Sequence, residues 1–243
     1  MGKVFAVTSG KGGVGKSTVS VGLGVAFCRQ GKSVLLVDMD EGLRCLDLML
    51  GVEKETVLDL SDVLCGRELE DALYSCPLHQ NLKLIPAPAD TGKIDAFSFA
   101  TFAKEAAETF DIVIFDFPAG IDISLYSSLP KGSLFLTVAV PDPVSVRDAA
   151  AMALQLSKAE LYAHLIINRF VYKQSLKMKH KNIDGIIDTA SLRLVGIVPE
   201  SEELVMLSVA HSLKKRGKAM AAFSRIARRL DGEHILLPKI KKI

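Results

Sequence analysis

Apolar residues recur along the chain in two alternating rhythms. Runs that are apolar at nearly every position stand at Lys3–Thr8, Ser33–Asp38, Leu82–Pro86, Asp111–Asp116, Ser133–Val140, Leu161–Asn168 and Leu194–Val198. Most are separated by longer Ala- and Leu-rich stretches of helical period. Strands apolar on both faces must be covered on both, so the pattern predicts an α/β fold: a mostly parallel, twisted sheet with helices on either side. The first two runs, with about fifteen residues of helical pattern between them, make a βαβ unit. Cys76–Asp90, with several prolines, reads as loop around one short strand. No composition break, repeat or low-complexity tract divides the chain, so one domain is expected over residues 1–234, with 235–243 as a tail.

Composition narrows the class. Of 243 residues, 49% are hydrophobic and 24% charged, which excludes a disordered or collagen-like chain. No apolar run reaches the ~18–20 residues of a membrane span, and the strand pattern begins within three residues of Met1, so no cleaved leader is expected. Cys28, Cys45, Cys65 and Cys76 stand singly. Their spacing suggests neither a disulfide framework nor a zinc site, and reduced cytoplasmic thiols are the expectation.

The chemistry concentrates at the end of the first strand. Gly10-Lys11-Gly12-Gly13-Val14-Gly15-Lys16-Ser17-Thr18 matches G-x-x-x-x-G-K-[ST] between a strand and a helix, the setting that pattern requires. The glycines let the backbone curl so that successive N–H groups point at phosphate oxygens, and the helix beginning near Lys16 adds its positive end. Lys16 offers an ammonium to the β- and γ-phosphates, Ser17 a hydroxyl to Mg²⁺, and Thr18 a donor to an α-phosphate oxygen. Carboxylates at the ends of neighbouring strands complete the set. Asp40 is assigned to orienting an attacking water, and Asp38 to the Mg²⁺ shell, the loop or a strand-end cap. Asp116 is expected to hold Mg²⁺ through water. Gly120, in the turn that follows, is expected to leave a backbone N–H free to sense a γ-phosphate.

Lys11, a second lysine five residues before Lys16, makes the loop resemble the deviant Walker A motif K-G-G-x-G-K-[ST] of the MinD/ParA superfamily. Residues 38–51 are similar to the D-x-D-x-G-L-R-N-L-D-L-x-x-G block of MinD proteins, with Cys45 where Asn is usual. Residues 116–121 resemble D-x-P-A-G-I, and residues 141–148 resemble P-x-x-x-S-V-R-D, a stretch near the family's dimer face unless Arg147 is a plain helix-start residue. The resemblance spans roughly residues 3–200. It implies a P-loop NTPase that binds ATP with Mg²⁺ and hydrolyses it to ADP and phosphate, with Lys11 reaching the ATP of a second copy in an ATP-dependent homodimer. It further implies that Asn168 hydrogen-bonds adenine, that Pro199 and Glu200 pack beside the base, and that regulatory proteins of division-site placement are partners.

The net charge of +2 hides an asymmetry: from His211 onward there are ten basic and two acidic residues. At helical spacing from Leu213, Met220, Phe223, Ile226, Ala227 and Leu230 share one side, and Lys214, Lys218, Arg225, Arg228 and Arg229 the other. That face is either solvated or set against anionic lipid or nucleic acid phosphate. The last nine residues resemble the family's C-terminal membrane-targeting sequence, with Leu236, Leu237, Ile240 and Ile243 on one face and Lys239, Lys241 and Lys242 flanking it; a frayed polar tail is the other reading. The expectation is a cytoplasmic protein, peripheral on the cytoplasmic face of the inner membrane. A DNA-partition ATPase of the ParA kind and a MinD-related regulator of flagellar number are the rivals, and DNA is the less expected partner.

Overall fold

The computed structural model describes residues 1–172, 183–214, 216–239 and 243. Its strands are β1 Lys3–Thr8, β2 Val34–Asp38, β3 Tyr74–Ser75, β4 Leu82–Ile85, β5 Ile112–Asp116, β6 Leu134–Ala139, β7 Tyr162–Phe170 and β8 Arg193–Pro199. They form one sheet in the order β3-β4-β2-β5-β1-β6-β7-β8, and every pairing is parallel except that of β3 with β4. The seven predicted runs match seven of these strands to within two residues at each end; the two-residue β3 was not expected. Where they differ, polar residues explain it: Ser33 and Asp111 lie just before β2 and β5 because the Asp111 carboxylate accepts from the Ser33 N–H and hydroxyl, at 2.8 and 2.9 Å.

The described helices are α1 Lys16–Cys28, α2 Leu46–Leu50, α3 Leu60–Leu64, α4 Ala96–Thr109, α5 Ile123–Ser127, α6 Pro143–Lys158, α7 Ile183–Ala190, α8 Glu202–Val205, α9 Leu207–Ala210 and α10 Lys218–Leu230. Alternation along β1 sends Phe5 and Val7 toward a core with α1 and α10, and Val4 and Ala6 toward the opposite core with α4 and α6. α1 and α10 pack closely because Gly22 has no side chain: a Cβ there would run into the Phe223 ring. None of the described helices is long and apolar enough to cross a membrane.

The basic helix begins at Lys218, which leaves Lys214 outside it. Residues 235–239 carry no regular secondary structure, and Ile243 is buried in the cluster that holds Val146, Phe170 and Ile186. The helix-like sharing of a face expected for the tail is therefore not what the described residues show. Ile240, Lys241 and Lys242 lie outside the described residues.

Candidate nucleotide and metal site

β1 ends at Thr8, and the chain then curls around an open space. Ser9 donates its hydroxyl to the Lys11 carbonyl at 2.7 Å, and the loop turns on left-handed Gly13 (φ 78°) and Gly15 (φ 88°). No atom stands within 4 Å of where a Cβ of Gly12 or Gly13 would be, so this rim of the loop is unfilled. α1 starts with no side-chain cap, whereas α4, α5 and α6 each use an aspartate for that purpose. The first N–H groups of α1 thus lack a side-chain acceptor at a helix end that attracts anions, and a phosphate chain fits there. Gly10 is packed against the second turn of α6: a Cβ built there would lie 2.6 Å from the Asp148 carbonyl oxygen.

Three acids converge on the inner side of the loop. Asp38 and Asp116 are direct neighbours across the β2–β5 ladder and are 0% and 2% exposed. Asp38 accepts from three backbone N–H groups, those of Asp40, Cys45 and Leu46, each at 3.0 Å. It ties the loop after β2 in place as well as facing its partner. Asp116 accepts from the Ser20 hydroxyl at 2.8 Å. Burial, and next the Asp38 charge, push the Asp116 carboxyl up to about 7, while bonds from Ser17 and Ser20 and the Lys16 charge pull the other way. Burial also raises Asp38, against its backbone bonds. Asp40 is half-buried; burial raises it and Lys16 opposes the rise. Two desolvated carboxylates side by side are a poor arrangement without a cation and a fitting one for Mg²⁺, which needs only one or two protein oxygens. The oxygens of Asp38 and Asp116 and the Cys45 sulfur all lie within 4.8 Å of one another, and Cys45 Sγ is 3.1 Å from Ser17 Oγ.

Two assignments change in detail. The Gly120 N–H, expected to be free, donates to the Ser9 carbonyl at 3.1 Å. The strand-end turn lies against the phosphate loop, and Tyr126 holds it by donating to the Gly120 carbonyl at 3.0 Å. Asn168 stands buried at a register shift in β7, next to left-handed Arg169 (φ 53°). Its amide nitrogen donates to the Val14 carbonyl at 2.8 Å and abuts Gly15, so the side chain braces the phosphate loop itself. Thr18, Asn168, Pro199 and Glu200 line one depression beside the loop. Val14 is buried, and Lys11 is exposed at the rim with no ammonium partner among the described residues. Ser20 was not singled out from the sequence. Its place one helical turn beyond Lys16 was the available signal, because that spacing puts both on one face of α1.

The basic helix is more occupied than its charge suggests. Arg228 pairs with Glu233. Arg229 donates to the carbonyls of Ile235 and Val195 at 2.7 and 2.8 Å. Arg225 is partly buried, which lowers its guanidinium.

Residues 5–214 match the family described as the CobQ/CobB/MinD/ParA nucleotide binding domain. The septum site-determining protein MinD of Thermotoga maritima is 33% identical, over 98% of this chain and 91% of that protein. Among solved structures, the MinC:MinD cell division protein complex of Aquifex aeolicus contains a chain with a TM-score of 0.87 and 33% identity, over 98% of this chain and 99% of that one. The Pyrococcus horikoshii MinD complexed with Mg-ADP has a TM-score of 0.81 at 28% identity, over 96% and 97% of the two chains.

Proposed function

The chain belongs to the CobQ/CobB/MinD/ParA family of nucleotide-binding proteins and to its MinD branch, and from that premise we propose that it is an ATPase used as a switch in division-site placement. The observation that carries this is the divided pair of lysines. Lys16 lies at the start of α1 facing the strand-end acids, while Lys11 stands exposed on the rim, and in this reading it serves phosphate on another molecule. Exposed apolar side chains at the same end of the sheet, Leu43 and Ile121 in loops and Val144 in the first turn of α6, support an interface there.

In this reading the loop N–H groups and Lys16 hold the triphosphate, and Ser17 and Asp116 hold Mg²⁺, with Asp38 fixing the loop beside it. Mg²⁺ held there would supply positive charge against the β- and γ-phosphate oxygens. Asp40 orients the water, and Lys11 of a second copy adds a positive charge to the assembled site. The Gly120 N–H exchanges its Ser9 partner for a phosphate oxygen, which moves the turn and reports nucleotide state. A regulatory protein of the division-site system is a partner, a reading supported by the MinC:MinD complex of Aquifex aeolicus, and its binding completes the site. The exposed Leu236 and Leu237 give the tail a weak grip on an anionic membrane from the cytoplasmic side, and two tails in a dimer hold where one does not, with a gain of roughly 10²–10⁴.

The test is co-sedimentation with anionic liposomes in ATP and in ADP, using the intact chain and one ending at His234. ATP-dependent pelleting that disappears on truncation is expected; equal pelleting in both nucleotides would refute the switch. Lys11→Ala is expected to abolish ATP-induced dimers in light scattering, and undiminished dimers would remove the role of Lys11 in trans.

A further inference from the structure

Cys45 stands where an amide is usual in the MinD block, and its thiol does not point away from the site. Its sulfur is 3.1 Å from Ser17 Oγ and within 4.8 Å of carboxylate oxygens of both Asp38 and Asp116. No other three Cys, His, Asp or Glu side chains come together this way among the described residues. We propose that Cys45, Asp38 and Asp116 form a mixed sulfur–oxygen site for a thiophilic divalent cation of the Zn²⁺ or Cd²⁺ kind in the nucleotide-free protein. The proposal rests on the reading of the two aspartates as cation-facing.

The donor set favours such an ion. With Zn–S near 2.3 Å and Zn–O near 2.0 Å, tetrahedral ligands lie roughly 3.5 Å apart, and the slightly longer bonds of cadmium spread them further. With the donor atoms now within 4.8 Å of one another, the cluster reaches that spacing by closing about 1 Å. Both carboxylates keep acceptor capacity. The bond from Asp40 uses only part of Asp38 Oδ1, and the bond from Ser20 only part of Asp116 Oδ1. A hard cation such as Mg²⁺ gains nothing from sulfur, whereas a softer one displaces the thiol proton to solvent and binds the thiolate. The other thiols lack this setting: Cys28 and Cys76 are buried among apolar side chains, and Cys65 is exposed. The ion would sit beside Ser17 and compete with Mg²⁺ for the same carboxylates.

The experiment titrates Cd²⁺ into nucleotide-free protein carrying Cys65→Ser, following the ultraviolet sulfur-to-cadmium charge-transfer band. Saturable binding with one thiolate is expected, and adding Cys45→Ser or Cys45→Asn should remove the band and weaken cadmium binding at least about tenfold. Two replacements, each checked by thermal melting, keep a folding defect in one from deciding the matter. No band, or a band that survives both replacements, overturns the proposal. Calorimetry with Mg·ADP on the same protein separates the two readings. Mg·ADP binding without a cadmium band removes the mixed site and leaves the nucleotide reading intact; a Cys45-dependent band without Mg·ADP binding supports the mixed site and removes the nucleotide reading.

Discussion

At the loop end of the sheet, Lys16, Asp38, Asp40 and Asp116 crowd together, and all three acids are held above the ordinary carboxylate range chiefly by burial. Along α10 the local charge is just as strong, yet Arg228 is paired with Glu233, Arg229 is bonded to two carbonyls, and Lys3 reaches over to Asp231 at 2.8 Å. Charge density is similar at the two ends, but completeness is not. α10 uses most of its charge to seat the helix and the start of the tail, with Arg229 Nη2 its one side-chain atom buried without a partner among the described residues, whereas the loop end sets the uncapped first turn of α1 and raised carboxylates around an open rim. An incomplete set of buried polar groups costs stability and marks where a ligand finishes the structure.

Removing the loop lysine tests that contrast most severely. Lys16→Ala is expected to weaken Mg·ADP binding at least about 100-fold, or about 3 kcal/mol, in calorimetry, because a charge-assisted contact to phosphate is lost from a desolvated site. A variant that binds within a few-fold of the parent would show that the cradle does not hold phosphate.

The acid pair gives the next largest effect, with a definite sign. Asp116 titrates near 7 in the folded chain and near the ordinary carboxylate value when unfolded, so between those values the folded state holds the extra proton. The stability associated with that proton is fully present below the unfolded value and is lost as pH rises toward 7, by on the order of a few kcal/mol. Nucleotide-free wild type should therefore melt progressively lower, relative to Asp116→Asn, from pH 5 to pH 7.5. A constant difference across that range would show that the carboxylate is already relieved by something other than a cation.

How much of this was legible in the sequence depends on the range of the interaction. The phosphate loop is local: nine consecutive residues carry the turn, the cation and the hydroxyl, and the left-handed Gly13 and Gly15 curl the chain as the motif requires. Strands were legible because burial on both faces leaves no polar alternation to misread. The neighbouring of Asp38 and Asp116 was not, since it depends on β5 inserting between β2 and β1, a crossover the chain order does not display. The Gly120 contact with Ser9 was missed for the same reason. Asn168 needed the β7 irregularity to aim it at Val14, and a nine-residue amphipathic pattern does not disclose that Ile243 is buried beside Val146, Phe170 and Ile186.

The smallest effects come from the complete end, and there the order between two adjacent arginines is the informative quantity. Arg229→Ala removes donors from the carbonyls of Val195 and Ile235 and should cost about 1–3 kcal/mol in urea unfolding, because those bonds join α10, β8 and the start of the tail. Arg228→Ala breaks only a solvent-exposed pair with Glu233 and should leave the midpoint unchanged, since water replaces the partner at both ends. A helix whose basic face existed to hold nucleic acid would reverse the ranking in a different assay. Arg228→Ala, made together with Lys218→Ala, would then weaken DNA binding and flatten its dependence on salt, while Arg229→Ala would matter less. Measuring both variants for stability and for DNA retention at two salt concentrations thus decides whether α10 is finished by its own fold or still lacks a partner.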